Sequence, residues 1–277
     1  MQRFAPMNHC YQQYQLETFL KEISEIGYQT IDLWACPTHF FIDSYSHTDT
    51  LTFQQLLKKF SLSVSCLSPR QSCPQPFHLA AKGTEAIRQT KNYFRHVVYS
   101  AHELECPRIM ITSGWAFHDE DPAAAWLRSV EMAHWLSRFA KSYGIKVAME
   151  PLTPQSTKLV NSLERMKRYL TEVDEENLKV IIDTGTISRQ GECIADYFQI
   201  FGSCIDYCHL TNYQKGQFAH VAWQTGELKL QQVLEEFQQQ GYQGEFCLEF
   251  THSSYRENPR KIYQATYDQL KLLEEQL

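Results

Sequence analysis

The sequence predicts an α/β fold, a single-domain (β/α)8 TIM barrel spanning residues 1–277. Three observations predict it. Short apolar runs of strand length alternate with longer segments of helical period along the whole chain. The alternation yields eight units, and eight units in 277 residues match the size and count of such a barrel. No Pro-, Gly- or Ser-rich linker divides the chain, so one domain is the simplest account. An open doubly wound sheet is the competing architecture. Its dinucleotide-binding form carries a glycine-rich turn after the first strand, whereas Pro6-Met7-Asn8-His9-Cys10 contains no glycine.

In chain order, the candidate strands are residues 3–7, 30–34, 63–67, 108–112, 146–150, 179–183, 206–211 and 245–250. Between them, apolar residues recur at steps of three and four, with a gap of seven after Ile87 in the set Ile87, Phe94, Val97 and Ala101. The same spacing joins Leu127, Val130, Ala133, Leu136 and Ala140, and later Leu230, Val233, Leu234 and Phe237. Asp121 before Pro122 reads as an N-cap with proline at the first helical position. Asn161 with Glu164 resembles a capping box. Gly27, Gly144 and Gly241 each follow a helical run and precede a strand, where a helix-terminating glycine belongs.

Composition narrows the function classes. Hydrophobic residues make up 43% and charged residues 21%, which argues for a packed core and against disorder. Lys and Arg total 26 against 32 Asp and Glu, a net charge of -6 without a basic track, so nucleic acid is not the expected partner. The N-terminus lacks an uninterrupted apolar h-region, and no apolar run reaches membrane-spanning length. The expectation is a soluble cytoplasmic protein without membrane contact. Nine scattered cysteines, an odd number with no CxxC pair, read as reduced thiols and not as a disulfide frame or a zinc site.

Barrel enzymes place their chemistry at the C-terminal ends of the strands. Glu150, Asp183, His209 and Glu249 end candidate strands five to eight, each preceded by apolar residues. One acid at a strand end is more often a cap or a loop residue. Four consecutive strands ending this way point to a site. Like charges crowded at one mouth raise one another's pKa, and a divalent cation resolves the conflict. Three carboxylates and an imidazole form a hard donor set that suits Mn²⁺, Mg²⁺ or Co²⁺ better than a closed zinc site. Cys208 and Cys247 adjoin two of these residues and are expected on the opposite face of their strands, in the core.

The stretch Met149-Glu150-Pro151-Leu152-Thr153-Pro154, together with Ile182-Asp183, Cys208-His209-Leu210 and Leu248-Glu249, resembles the xylose isomerase-like TIM barrels, and among them the ketose 3-epimerase branch. Ile31-Asp32-Leu33-Trp34, the Ser68-Pro69 turn, His220 and Glu257-Asn258-Pro259-Arg260 extend the resemblance along the chain. The resemblance implies one divalent ion, Mn²⁺ ahead of Mg²⁺, Co²⁺ or Zn²⁺, held by Glu150, Asp183, His209 and Glu249. It implies that Glu150 and Glu249 also act as acid and base on opposite faces of C3 of a keto sugar, through a cis-enediolate. His9, Trp34, Arg70 and His220 are the candidate substrate contacts, Arg70 for a carboxylate or phosphate. Their plainer alternatives are a loop histidine for His220 and core packing for Trp34.

Two departures matter. Free-ketose 3-epimerases carry a histidine after the sixth-strand aspartate and an arginine after the seventh-strand histidine; here those regions read Thr184-Gly185-Thr186 and Tyr213-Gln214-Lys215. A derivatised, fructoselysine-like or phosphorylated keto sugar is therefore the expected substrate. Alternatives on the same barrel are a lyase of the keto-inositol dehydratase type, an aldose-ketose isomerase, or a binder without turnover. A DNA repair endonuclease needs more metal-binding histidines than this acidic chain supplies at Thr186 and Phe218-Ala219-His220. A homo-oligomer, dimer or tetramer, is the further expectation from the resemblance.

Overall fold

The computed structural model describes residues 2–72 and 75–274, so Cys73, counted above among the reduced thiols, lies outside the described residues. Eight parallel strands form one sheet: β1 (Phe4–Pro6), β2 (Thr30–Ala35), β3 (Ser63–Pro69), β4 (Arg108–Ile111), β5 (Lys146–Met149), β6 (Leu178–Asp183), β7 (Ile205–His209) and β8 (Glu245–Leu248). Their order, β1-β8-β7-β6-β5-β4-β3-β2, leaves β1 and β2 as neighbours around the ring, and a parallel bridge between Met7 and Asp32 closes it. Each expected strand is present within two residues of its expected ends.

The helices are α1 (Leu16–Ile26), α2 (Thr50–Phe60), α3 (Thr84–Glu103), α4 (Pro122–Lys141), α5 (Leu163–Val173), α6 (Thr184–Arg189), α7 (Ile194–Phe201), α8 (Leu230–Gln239) and α9 (Pro259–Glu274). Among the described residues, none is long and apolar enough to cross a membrane. Asp121 caps α4 through the Ala123 N–H, a contact of the kind worth about 1 kcal/mol. The cap of α5 differs from expectation. Ser162 accepts from the Arg165 N–H, while Asn161 uses its amide to hold the Thr157 carbonyl and leaves the capping position one residue later. The three terminating glycines all take positive φ: 113° at Gly27, 73° at Gly144 and 70° at Gly241. After each, the next N–H reaches back five residues, Tyr28 to Ile23, Ile145 to Ala140 and Tyr242 to Phe237, which satisfies a carbonyl the helix leaves open.

The buried face of α4 runs through Trp126, Ser129, Ala133, Leu136 and Ala140, and Leu127, expected on it, is 60% exposed. Most of the core lies between helices and sheet. A second, smaller cluster fills the barrel itself: Met7, Cys66, Ala148, Ile181, Tyr207 and Cys247, with Trp34 and Met110 against it. Below that layer, Arg108 donates to Asp206 (2.7 Å), Glu245 (2.6 Å) and the Ser65 carbonyl (2.8 Å). Its guanidinium also lies 4.8 Å from the Tyr207 ring centre, so the N-terminal end of the barrel is plugged. The C-terminal end is open.

Candidate active site

Period-two alternation carries the interior layer into the site. Ala148, Ile181, Tyr207 and Cys247 point into the barrel, and two positions further along each strand stand Glu150, Asp183, His209 and Glu249. The structure brings these four together, with one donor atom from each within 4.8 Å of the others. The same parity corrects an expectation about the cysteines. Cys208 lies on the helix-facing side, as expected, but Cys247 shares the inward face of Glu249 and packs beneath it.

Asp183 does two jobs. Its Oδ1 accepts from the Thr186 N–H (2.7 Å), capping α6, and from the Thr211 hydroxyl (2.5 Å). That leaves Oδ2 facing the cluster, 3.6 Å from His220 Nε2. Gly185 is required at this corner, because a Cβ there would stand 2.7 Å from the Thr211 hydroxyl that holds Asp183. Glu150 leaves β5 with its N–H on the Ile111 carbonyl (2.9 Å). His209, fully buried, places Nδ1 3.0 Å from Glu150 Oε1 and 3.4 Å from Glu249 Oε2.

Electrostatics at this cluster are unbalanced in the protein alone. Burial pushes the Glu150 carboxyl up to about 7, with His209 opposing it. Glu249 is held down at about 2, since His220 and His209 outweigh its own burial. His209 is raised well above the usual histidine range, because Glu150 and Glu249 overcome burial that acts the other way. Despite the short approach, neither nitrogen of His209 has a hydrogen-bond partner in good geometry among the described residues. A buried imidazole nitrogen aimed between carboxylate oxygens, without a bond to any, is the disposition of ligands around a shared point. The donor set and the orphaned nitrogen together fit a divalent cation.

Above the cluster opens a cavity of about 520 Å³. All four candidate substrate contacts line it: His9, Trp34, Arg70 and His220. His9 packs on Trp34 with ring centres 4.6 Å apart and the rings tilted by 34°, and burial lowers its pKa. His220 is drawn in from a long loop, where its N–H donates to the Thr251 hydroxyl (2.8 Å) and its Nε2 lies 3.7 Å from Glu249. A smaller chamber of about 190 Å³ opens beside the cavity and shares Gln71, Ser72, Thr112, Leu152 and Ser156 with it.

Two residues with no assigned role in the sequence stand out. Arg189 lines the cavity one turn beyond Thr186, with its guanidinium 5.6 Å from the Tyr213 ring centre and 5.9 Å from that of Phe218. It donates to the Phe218 carbonyl (3.2 Å), and its Nε is buried without a partner among the described residues. Asp32, fully buried in the middle of β2, lies under His209. Both were within reach of simple patterns. Asp183 opens a helix, so positions 186 and 189 share a face, and Asp32 has the parity of inward-facing Trp34.

Comparison with known proteins bears on the fold and the family. The chain is 20% identical over 263 residues to fructoselysine 3-epimerase of Escherichia coli O157:H7, covering 95% of each. Its fold is similar to that of an L-ribulose 3-epimerase, with a TM-score of 0.81 at 15% identity over 100% of this chain and 95% of that one. It is also similar to that of a probable 3-DHS dehydratase from Bacillus anthracis, at 0.72 and 16% identity over 98% and 99%. Likeness at such identities speaks for the fold. The family profile described as xylose isomerase-like TIM barrel matches residues 20–273, and the chain belongs to that family.

Proposed function

We propose that this protein is a divalent-metal-dependent epimerase acting at C3 of a keto sugar derivative, with Mn²⁺ as the ion. One observation carries the reading: Glu150 and Glu249 reach the same point from β5 and β8, three strands apart, with His209 and Asp183 between them. Glu150, Asp183, His209 and Glu249 would hold the ion, which when bound polarises the substrate's carbonyl and neighbouring hydroxyl and makes the C–H at C3 more acidic. One glutamate removes the C3 proton to give a cis-enediolate, and the other delivers a proton to the opposite face. The partly closed cavity, with Trp34 and Met110 in its wall, limits the water that competes for the intermediate. A cytoplasmic setting suits the eight described cysteines, all free thiols.

The substrate side of the reading rests on charge. Arg70 and Arg189 line the cavity, and neither pairs with an acid among the described residues. The two arginines stand at the mouth away from the carboxylates that the ion would neutralise, which favours a sugar bearing a phosphate or carboxylate. The neutral side chamber, lined by Gln71, Ser72, Thr112 and Trp115, offers room and hydrogen bonds for a substituent.

The test is solvent exchange. Mn²⁺-loaded protein incubated in D₂O with a panel of keto sugars and derivatives should place deuterium at C3 with inversion, read by NMR. Glu150→Gln and Glu249→Gln should each lose epimerisation by about 10²-fold to 10⁴-fold, the range for removing a general acid or base. Each variant should still exchange the C3 proton of the one epimer whose proton faces its remaining glutamate. Loss of water from the sugar in place of inversion identifies a dehydratase. No exchange at C3 by either variant from either epimer, with sugar and metal still bound, refutes the two-base assignment.

A further inference from the structure

Beneath the four-donor cluster lies a second set of buried polar groups that the reaction above does not use. His209 turns Nδ1 toward the glutamates and Nε2 the opposite way, 4.0 Å from Asp32 Oδ2. Asp32 is completely buried in the layer of Met7, Cys66, Tyr207 and Cys247. Its Oδ1 accepts from the Ser68 hydroxyl (2.7 Å), while Oδ2 and His209 Nε2 have no hydrogen-bond partner among the described residues. A carboxylate in such a layer is expensive unless a specific partner retains it.

Two partners are conceivable. Asp32, His209 and Cys247 offer three donor atoms within 4.8 Å, so a second cation is one. Against it, Cys247 is fully buried in the apolar layer beneath the cluster. Neither Asp32 nor Cys247 lines any of the cavities described, so an ion has no visible entry. The other partner is the imidazole. A metal-ligating histidine commonly donates its second ring N–H to a carboxylate, which fixes the tautomer and ring orientation and strengthens the ligand.

We infer that Asp32 is the positioning residue for His209, accepting the Nε2–H so that the Nδ1 lone pair is presented to the divalent ion, with Ser68 holding the carboxylate in place. The inference rests on the metal-dependent reading above. The gap of 4.0 Å exceeds an N–H···O bond by about 1 Å, a distance that a small ring displacement closes. It also explains why a carboxylate stands in the middle of an otherwise apolar strand, Ile31-Asp32-Leu33.

A double-mutant cycle on Mn²⁺ affinity tests it, with free Mn²⁺ read by electron paramagnetic resonance and no activity measured. Asp32→Asn should weaken binding by about 10- to 100-fold in the wild-type background. In a His209→Gln background the same substitution should change affinity by less than about twofold, because the histidine it acts through is gone. Equal losses in both backgrounds would show a general distortion of the barrel and overturn the inference. So would an unchanged affinity in the single variant, or two ions per chain with the second lost in Cys247→Ser. If Asp32→Asn does not fold, Ser68→Ala takes its place in the same cycle, with a smaller loss confined to the His209 background. Wild-type protein that binds no Mn²⁺ at all refutes the metal-dependent reading itself, an outcome distinct from wild-type binding that is indifferent to Asp32.

Discussion

Metal binding should be steeply pH-dependent, and the structure gives the direction and slope. A divalent ion binds the deprotonated forms of its ligands. Glu150, raised to about 7, and His209, raised well above the usual range, both hold protons in the metal-free protein near neutrality. Glu249, at about 2, is already ionised and releases nothing. Raising the pH therefore strengthens binding, and lowering it weakens binding. One unit below the Glu150 midpoint, about nine-tenths of that group is protonated, which alone costs about tenfold in affinity, or about 1.4 kcal/mol. His209 adds a second proton, so log affinity should rise with a slope of about two below about pH 7, easing toward one as Glu150 becomes ionised.

The assay is Mn²⁺ titration across this range, with calorimetry in two buffers of different ionisation enthalpy to count the protons released. Glu150→Gln should remove about one unit of slope and leave the histidine's share. Affinity that is flat between about pH 6 and pH 8, with no proton released, would refute the reasoning, because an ion that displaces no proton is not held by Glu150 and His209.

Two further outcomes follow from particular contacts. Arg70→Gln and Arg189→Gln should each lower kcat/KM for a phosphorylated or carboxylate-bearing keto sugar by about 10- to 100-fold, as expected for a lost charged hydrogen bond of about 1.5–3 kcal/mol. Neutral ketoses should change by less than about threefold, and equal losses on both would count against the anion reading. Gly226→Ala should destabilise the fold, because its Cβ would stand 2.1 Å from Asn212 Cγ. The buried Asn212 side chain, bonded to the backbone of Tyr213 and Leu228, has no room to yield. A loss of about 1–3 kcal/mol by thermal or chemical unfolding is expected, and an unchanged Tm would refute the contact.

The eight strands were legible because each reads as a short apolar run between helical periods, and the strand-end donors because position along a barrel strand carries meaning by itself. The remaining features depend on finer phase. Cys247 faces inward and not outward because it stands two residues before Glu249, an even step that keeps both inside. Asp32 carries no role in the family pattern Ile31-Asp32-Leu33-Trp34, yet its parity with Trp34 turns it inward. Asn161 lost the capping position to its neighbour Ser162, since a cap is chosen by which side chain meets the open N–H and both residues qualify by type. Long-range placement was beyond any local pattern. His220 comes from the segment between β7 and α8, and its place beside Asp183 depends on the β8 end pinning it through Thr251.

One half of the barrel mouth carries all four donors together with the cavity residues Arg189 and His220, and the other half carries only candidate substrate contacts. The four donors come from β5 to β8 in unbroken succession, and each is fixed by its own strand. His9, Trp34 and Arg70 lie opposite; His9 and Arg70 stand beyond the ends of β1 and β3, on segments whose length and sequence can vary without moving a donor, while Trp34 is held within β2 itself. The two halves meet at Asp32, which sits on β2 but faces His209 on β7 through the interior. That crossing ties the orientation of a donor to a strand of the substrate half. Side chains on the flanking loops are therefore free to set which sugar enters, whereas an inward-facing residue of β2 is bound to the chemistry of the opposite wall. The departures from the free-ketose pattern fall beyond the strand ends, Thr186 in α6 and Lys215 in the segment before α8, and all four donors remain in place.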